Sequence, residues 1–283
     1  MEISLGEATL HYETIGSGRP LLLIHGYSLD RRMMKASMEP VFARRSDDWQ
    51  RIYVDLPGMG GSRAPARLAS SDWVLDTLLA FIDALLPGRR FALMGESYGG
   101  YLARGIVRRR GASVDGLLLL CPMIIPQRQK RDRPAFRLMS RDEDFHATMP
   151  REQRRRFEIE MVVQTRETWA RYSEEILPAL AAGDPLFLRK LHGPSYPLSF
   201  DVDALEAPFA NPALFVLGRQ DDVVGYRDAW RLIESYPRAA FAVLDRAGHF
   251  LQIEQESLFT ALAGEWLDRV READARRQGE EHG

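Results

Sequence analysis

The sequence contains a single cysteine, Cys121, among its 283 residues. One thiol cannot form an intramolecular disulfide, and it cannot supply the several ligands of a cysteine zinc site. Cys121 follows the apolar run 117–120, and we interpret it as a buried thiol at the end of a strand. Disulfide-stabilised scaffolds and zinc–cysteine modules are therefore excluded.

An excess of charge of one sign is also missing, since 38 Lys and Arg face 40 Asp and Glu. This balance gives no global positive field for nucleic acid and no acidic excess of the kind typical of disorder. No apolar stretch approaches the roughly 20 residues that span a bilayer, and the first residues lack the basic and apolar segments of a signal peptide. We expect a cytoplasmic protein that binds neither nucleic acid nor membrane, and we leave a homodimer open.

What the sequence does contain is an alternation of short apolar runs with amphipathic segments. Residues 8–15 have the pattern of an edge strand, and segment 74–86 has apolar residues at helical spacing after a capping Ser70 or Ser71. Short, continuous apolar runs are typical of strands buried on both faces. Such runs occupy residues 20–25, 51–56, 91–94, 114–121, 213–217 and 241–244. The alternation predicts an α/β fold with a doubly wound, mostly parallel sheet.

This pattern breaks between residues 123 and 208, where no convincing strand is visible and segment 151–172 has helical spacing. The sequence therefore predicts a core of residues 1–122 and 209–275, a helical cap (lid) inserted at 123–208, and a flexible tail at 276–283. Stretch 127–156 carries ten lysines and arginines against five acids. A solvated face is the usual meaning of such a run, and an anion-attracting rim around a substrate entrance is the alternative.

Residues 95–99 read Gly-Glu-Ser-Tyr-Gly, a G-x-S-x-G pattern placed between a predicted strand and a predicted helix. A serine on so sharp a turn projects from the edge of the sheet, and small neighbours are needed where the backbone is crowded. The start of the helix also directs free N–H groups at the same place. This context predicts that Ser97 is a nucleophile.

A serine hydroxyl needs a general base at neutral pH, and a histidine base needs an acid that fixes its tautomer. His249 follows the last predicted strand, and Asp221 and Asp222 follow the strand before it. Both positions lie at the carboxyl edge of the sheet, where ligands bind in open α/β folds. The order of Ser97, an aspartate and then His249 is the one expected of a nucleophile-elbow enzyme. We interpret the remaining histidines as structural.

With these residues the chain resembles the α/β-hydrolase fold family, in particular its single-chain members with a helical cap. The resemblance covers residues 8–270 and rests on the motifs at 25–27, 55–62, 95–100, 218–221 and 248–249. It implies that Asp221 is the acid and that the backbone N–H groups of Tyr27 and Tyr98 form the oxyanion hole. Tyr27 as a mere pocket-wall residue is the alternative.

The expected activity is hydrolysis of a small carboxylic ester through an acyl-enzyme, with no metal and no cofactor. A C–C bond hydrolase of ring-cleavage products, a lactonase and a thioesterase stay open, as does a low-turnover ligand receptor or scaffold on the same fold. We expect apolar cap residues, namely Phe157 and Trp169, to bind the acyl substrate together with Phe250.

Overall fold

The computed structural model describes residues 1–46 and 48–281. Within these ranges the core is built on an eight-stranded sheet of order β1-β2-β4-β3-β5-β6-β9-β10, and β7 and β8 form a separate two-stranded ribbon. The strands are β1 (Glu2–Leu5), β2 (Ala8–Ile15), β3 (Arg19–Ile24), β4 (Trp49–Val54), β5 (Phe91–Glu96), β6 (Val114–Leu120), β7 (Ser140–Arg141), β8 (Val163–Gln164), β9 (Ala213–Gly218) and β10 (Ala239–Leu244). From β4 to β10 the neighbouring strands of the sheet are parallel, and the predicted doubly wound, mostly parallel sheet is confirmed.

Helices cover this sheet and form most of the segment between β6 and β9. They are α1 (Arg31–Phe42), α2 (Ser71–Leu85), α3 (Tyr98–Arg110), α4 (Glu143–Thr148), α5 (Arg151–Glu160), α6 (Arg166–Glu175), α7 (Leu177–Ala182), α8 (Pro185–Leu191), α9 (Leu251–Glu254) and α10 (Glu256–Glu281). Ser70, one of the two serines considered as the cap of α2, accepts a hydrogen bond from the N–H of Trp73. In the part of the chain that the structure describes, no helix has the length and apolar character needed to cross a membrane.

The edge of the sheet differs from the sequence-based expectation. Residues 8–15 do form a strand, but β1 pairs with it in antiparallel register, so β2 is the second strand and not the edge. The two strands are joined at Gly6, whose φ of 59° lies in the left-handed region that glycine enters without steric cost. The short β1 escaped detection because it offers only two apolar residues, Ile3 and Leu5, in alternation.

The predicted continuous helix 151–172 is wrong, because the backbone leaves the helical conformation after Glu160. The chain there runs through β8, which pairs with β7, before α6 begins. Thr165 caps α6 in a reciprocal capping box with Thr168. The N–H groups of Val162 and Val163 donate to the carboxylate of Glu254, an acceptor that lies outside the insertion. A long-range acceptor therefore replaces the helical hydrogen bonds that local spacing had suggested.

The predicted flexible tail is also wrong over residues 276–281, since α10 continues to Glu281. Arg277 secures this end of the helix with a 2.8 Å ion pair to Asp115, which lies on β6. Residues 282 and 283 of the predicted tail lie outside the described residues.

Both stems of the inserted segment meet at Arg104, whose side chain is fully buried on α3. Its Nη2 donates to the carbonyls of Met123 at 2.8 Å and Ile124 at 2.9 Å, where the chain leaves the sheet. Its Nη1 donates to the carboxylate of Asp203, where the chain returns. One guanidinium thus joins the start and the end of the insertion to the core.

Candidate active site

Ser97 occupies the turn between β5 and α3 with a φ of 51° and a ψ of −114°, a conformation that few non-glycine residues adopt. The glycines on either side explain how the turn is packed. A Cβ at Gly95 would lie 2.4 Å from the carbonyl oxygen of Gly99, and one at Gly99 would lie 2.3 Å from that of Ile24. The G-x-S-x-G pattern is therefore a steric requirement of this turn.

A continuous chain of hydrogen bonds joins Ser97, His249 and Asp221. The Oγ of Ser97 lies 3.0 Å from Nε2 of His249, and Nδ1 of His249 lies 2.8 Å from Oδ2 of Asp221. Because an ionised carboxylate can only accept, Nδ1 carries the proton of the neutral ring and Nε2 is free to accept from the serine hydroxyl. The three residues come from the carboxyl ends of β5, β9 and β10, which meet at one edge of the sheet.

The structure also separates the two candidate acids. Asp221 is fully buried, and its second oxygen, Oδ1, accepts from the N–H groups of Val223 at 2.9 Å and Val224 at 3.0 Å. Asp222 is half-buried beside the cavity, and burial together with the charge of Asp221 raises the pKa of its carboxyl. These two N–H donors fix the orientation of the Asp221 carboxylate, which in turn orients the imidazole.

Tyr27 and Tyr98, whose backbone N–H groups the resemblance implied for an oxyanion hole, both lie next to the turn that carries Ser97. Tyr98 is the first residue of α3, and Tyr27 follows the close approach of Gly26 to the nucleophile turn. Among residues 1–46 and 48–281, neither N–H has a hydrogen-bond acceptor. The side chains of the two tyrosines make other contacts. The Tyr98 hydroxyl forms a hydrogen bond with the Ser71 hydroxyl, and the Tyr27 hydroxyl donates to the Leu188 carbonyl.

A cavity of about 380 Å³ opens on Ser97 and His249, with one wall from the core and the other from the inserted segment. Phe250 lies on its wall as expected, but Phe157 and Trp169 are not among its lining residues. Their rings contact each other with centroids 5.2 Å apart and pack on Tyr172 inside the insertion. The expectation for Phe157 and Trp169 is corrected on this point, because helical spacing marks the face that a helix buries and does not say against what.

Several cavity residues carry no signal that sequence spacing could reveal. Ile159 and Leu180 supply apolar surface, and Tyr196 stacks on Tyr98 at 5.1 Å. His192, interpreted as structural from the sequence, also lines the cavity. From the basic stretch 127–156, the arginines at the wall are Arg128, Arg131 and Arg156. The basic stretch therefore places three arginines at the cavity, as the alternative of an anion-attracting rim requires.

Glu254 links the inserted segment to the loop that carries His249. Its Oε1 accepts from the N–H of Val162 at 2.6 Å and of Val163 at 3.2 Å, and its Oε2 accepts from Gly248 at 2.5 Å. Burial raises the pKa of this carboxyl to about 7, although the three N–H groups favour the ionised form. The backbone next to His249 is thus joined to the inserted segment through one carboxylate.

The pKa of the His249 imidazole is also shifted strongly from its ordinary value. Burial lowers its pKa, but the neighbouring carboxylates of Asp221 and Glu96 more than reverse this effect and raise the pKa to about 9. Ligand atoms of Cys121, Asp221 and His249 lie within 4.8 Å of one another. They do not fit a metal centre well, because burial raises the pKa of the thiol while a metal needs the thiolate. Metal independence stays a prediction.

Comparison with known proteins agrees with this geometry. Residues 21–262 match the model of the alpha/beta hydrolase family, and the chain therefore belongs to that family. Its fold resembles the crystal structure of an alpha/beta superfamily hydrolase from Oenococcus oeni PSU-1 with a TM-score of 0.86, 32% identity and coverage of 96% of this chain and 99% of the other.

Two curated relatives match along most of the chain. Pimeloyl-acyl-carrier-protein methyl ester esterase of Nitrosomonas europaea is 26% identical over 90% of this chain and 100% of the relative. The 2-hydroxymuconate semialdehyde hydrolase of Pseudomonas sp. strain CF600 is 26% identical over 92% of this chain and 89% of the relative. The protein is accordingly a hydrolase of the alpha/beta fold.

The contacts of Glu254 predict a defect when its second acceptor oxygen is replaced by an amide NH₂. Glu254→Gln should destabilise the fold by about 1–3 kcal/mol, because one buried backbone N–H then faces a donor. It should also lower turnover about tenfold or more through the displaced histidine loop. Glu256→Gln, which removes a half-exposed partner of Arg171, is the control and should cost less than about 1 kcal/mol. Equal urea midpoints for the two variants would contradict this role.

Proposed function

We propose that the protein is a serine hydrolase that cleaves a small carboxylic ester through an acyl-enzyme. The observation that carries the proposal is the hydrogen-bond chain from Ser97 through His249 to Asp221, which opens on a cavity beside two backbone N–H groups without acceptors. A polarised hydroxyl, an oriented base and fixed donors are the parts that acyl transfer needs.

In the first half-reaction, His249 Nε2 takes the proton of Ser97 Oγ while Oγ forms a bond to the ester carbonyl carbon. The carbonyl oxygen gains the negative charge, and the N–H groups of Tyr27 and Tyr98 donate to it. Asp221 stabilises the imidazolium without taking its proton. His249 then gives its proton to the departing alcohol oxygen as the carbon–oxygen bond breaks.

In the second half-reaction, water replaces the alcohol. His249 accepts a proton from water, the hydroxide oxygen attacks the acyl carbon, and the serine oxygen leaves with the proton that the imidazolium returns. The products are a carboxylic acid and free Ser97. Apart from the ester and water, no group outside this chain takes part in these steps.

The inserted segment acts in this proposal as a substrate-selecting cap over residues 123–208. Its support is the cavity wall, to which Ile159 and Leu180 contribute from the insertion. Ester hydrolysis is also the activity named for the relative from Nitrosomonas europaea. A panel of esters, lactones, thioesters and a ring-cleavage product decides between the ester and the bond types left open by the sequence.

Removal of the nucleophile is the direct test of the proposal. Ser97→Ala should lower kcat by roughly a millionfold, the scale seen when a triad nucleophile is lost. The wild type should release a burst of p-nitrophenol from a p-nitrophenyl ester, and a fluorophosphonate should label Ser97 alone. A few per cent of residual activity in a contamination-free Ser97→Ala preparation would end the assignment. Absence of any burst or turnover in the wild type would favour a receptor.

The two neighbouring aspartates should differ sharply. Asp221→Asn should reduce kcat by about four orders of magnitude, because an amide NH₂ facing Nδ1 selects the tautomer that cannot accept from Ser97. Asp222→Asn should reduce it about tenfold or less, since its carboxylate makes no hydrogen bond to the ring among the described residues. Steady-state kinetics of both variants give the ranking, and the reverse ranking would move the acid by one residue.

The cavity wall predicts which cap residues govern chain length. Ile159→Ala and Leu180→Ala should lower kcat/KM for hexanoate and octanoate esters about tenfold, the value of one to two lost methylene contacts, and leave acetate esters almost unchanged. Phe157→Ala should lower stability without changing this preference, because its ring is buried inside the insertion. Ile233→Ala, an exposed site away from the cavity lining, is the control. Uniform losses across all chain lengths would argue against a selecting cap.

A further inference from the structure

Glu96 is a buried carboxyl that the proposed reaction does not use. It is the last residue of β5, it directly precedes Ser97, and its side chain lines the cavity without being exposed. Within residues 1–46 and 48–281 neither of its carboxylate oxygens has a hydrogen-bond partner of good geometry, although the backbone of Gly26 lies close enough to lower the pKa of the carboxyl. Buried polar atoms are nearly always paired, so an unpaired carboxyl at this position calls for a function.

The carboxyl lies against the nitrogen that performs the proton transfer. Its Oε1 is 3.5 Å from Nε2 of His249, the same atom that lies 3.0 Å from the Oγ of Ser97. Its Oε2 occupies space that only a glycine leaves free, since a Cβ at Gly26 would lie 2.2 Å away. The imidazole is therefore flanked by Asp221 at Nδ1 and by both Ser97 and Glu96 at Nε2.

We propose that Glu96 is a positioning residue that holds the proton carried by His249 at Nε2 and so sets the lowest pH at which the imidazole can serve Ser97. This inference rests on the proposed function, because it assigns to Glu96 a control over the base of that reaction. In this proposal the N–H at Nε2 of His249 has two alternative acceptors. They are the Glu96 carboxylate before substrate binds and the leaving oxygen of the substrate afterwards.

The groups around the imidazole support the direction of this effect. Asp221 and Glu96 both favour the protonated ring, whereas Arg131 across the cavity opposes it. The neighbouring titratable groups are Asp222, which feels the charge of His249, the Cys121 thiol, which burial keeps protonated, Glu254, which is held by three backbone N–H groups, and Tyr196, whose pKa burial raises. Of the carboxylates in this group, Asp221 and Glu96 are the two that lie within ion-pair distance of the ring.

The protonation states of Glu96 and His249 at each pH follow from these charges. Burial raises the pKa of Glu96 to about 7, and the pKa of His249 is about 9. Below about pH 7 both groups are protonated, and between the two values the dominant form is an imidazolium facing a carboxylate. In that form Nε2 of His249 is protonated and cannot accept the proton of Ser97. Above about pH 9 the imidazolium gives its proton to solvent, and Nε2 becomes able to accept from Ser97.

Removal of the Glu96 charge should therefore produce two opposite effects in one pH profile. In Glu96→Gln the acid limb of kcat/KM should move down by about one pH unit or more, the shift expected from one charge at this distance. The alkaline plateau should fall about threefold, because a less basic imidazole is a weaker general base. The variant is then more active than the wild type near pH 8 and less active above pH 10, while the two converge below about pH 7.

The experiment is a kcat/KM profile from pH 5 to 10.5 with a neutral p-nitrophenyl ester. The wild type, Glu96→Gln and Glu206→Gln are compared, because Glu206 is an exposed carboxylate paired with Arg108 and its loss should leave the profile unchanged. A crossing of the first two profiles supports the proposal. A uniform loss in Glu96→Gln with an unmoved acid limb overturns it.

A second measurement keeps the proposal testable if Glu96→Gln does not fold. In the Ser97→Ala protein, NMR titration of the ¹⁵N-labelled ring should give His249 a higher pKa with Glu96 than with Glu96→Asp, whose shorter side chain withdraws the carboxylate from Nε2 while Asp221 is unchanged. Equal pKa values in the two proteins, or a pKa at or below 6.5 with Glu96, refute the role of Glu96. The two proposals fail separately: activity retained by Ser97→Ala removes the proposed function, whereas an unmoved acid limb with inactive Ser97→Ala removes only the role of Glu96.

Discussion

The left-handed backbone at Ser97 is the constraint from which the rest of the site follows. A non-glycine residue in such a conformation is strained by about 1–3 kcal/mol, and it persists only where the surroundings over-determine it. Gly95 and Gly99 provide that packing, since any side chain on either would overlap a backbone carbonyl. The same turn presents the Ser97 hydroxyl to His249 and starts α3 at Tyr98, with a free N–H beside it.

Several acidic groups are buried close together at this edge of the sheet, and each has different partners. Asp221 accepts hydrogen bonds from two backbone N–H groups and from Nδ1 of His249, so its carboxylate is the one that orients the imidazole. Glu254 accepts three backbone N–H groups and serves as a tie between segments. Glu96 has the imidazole at ion-pair distance and the backbone of Gly26 close by. Of these three carboxyl groups, Asp221 and Glu96 raise the pKa of His249.

Local pattern was enough to predict the parallel strands, Ser97 and His249, and it left Asp221 and Asp222 as candidate acids. Buried strands are short continuous apolar runs, and parallel strands bring their carboxyl ends together, so strand position placed these residues at one edge of the sheet. The choice of Asp221 over Asp222 came from the family resemblance. The cavity wall could not be derived in this way. Phe157 satisfies a helical pattern by packing inside the insertion, and the break after Glu160 depends on Glu254, which is about ninety residues away in the chain. Such contacts leave no local periodicity.

The position of Arg104 has a consequence for how this architecture can change. The strands that flank the insertion, β6 and β9, are direct neighbours in the sheet, so the two stems leave and return through adjacent positions. One guanidinium ties both stems, through the carbonyls of Met123 and Ile124 and the carboxylate of Asp203. The segment between them is therefore joined to the core at its base by one guanidinium, and further along by Glu254, which accepts from the N–H groups of Val162 and Val163. A transplant of this segment between relatives would have to keep Arg104 with its acceptors and also Glu254 with its N–H partners, because Glu254 holds the loop that carries His249 as well.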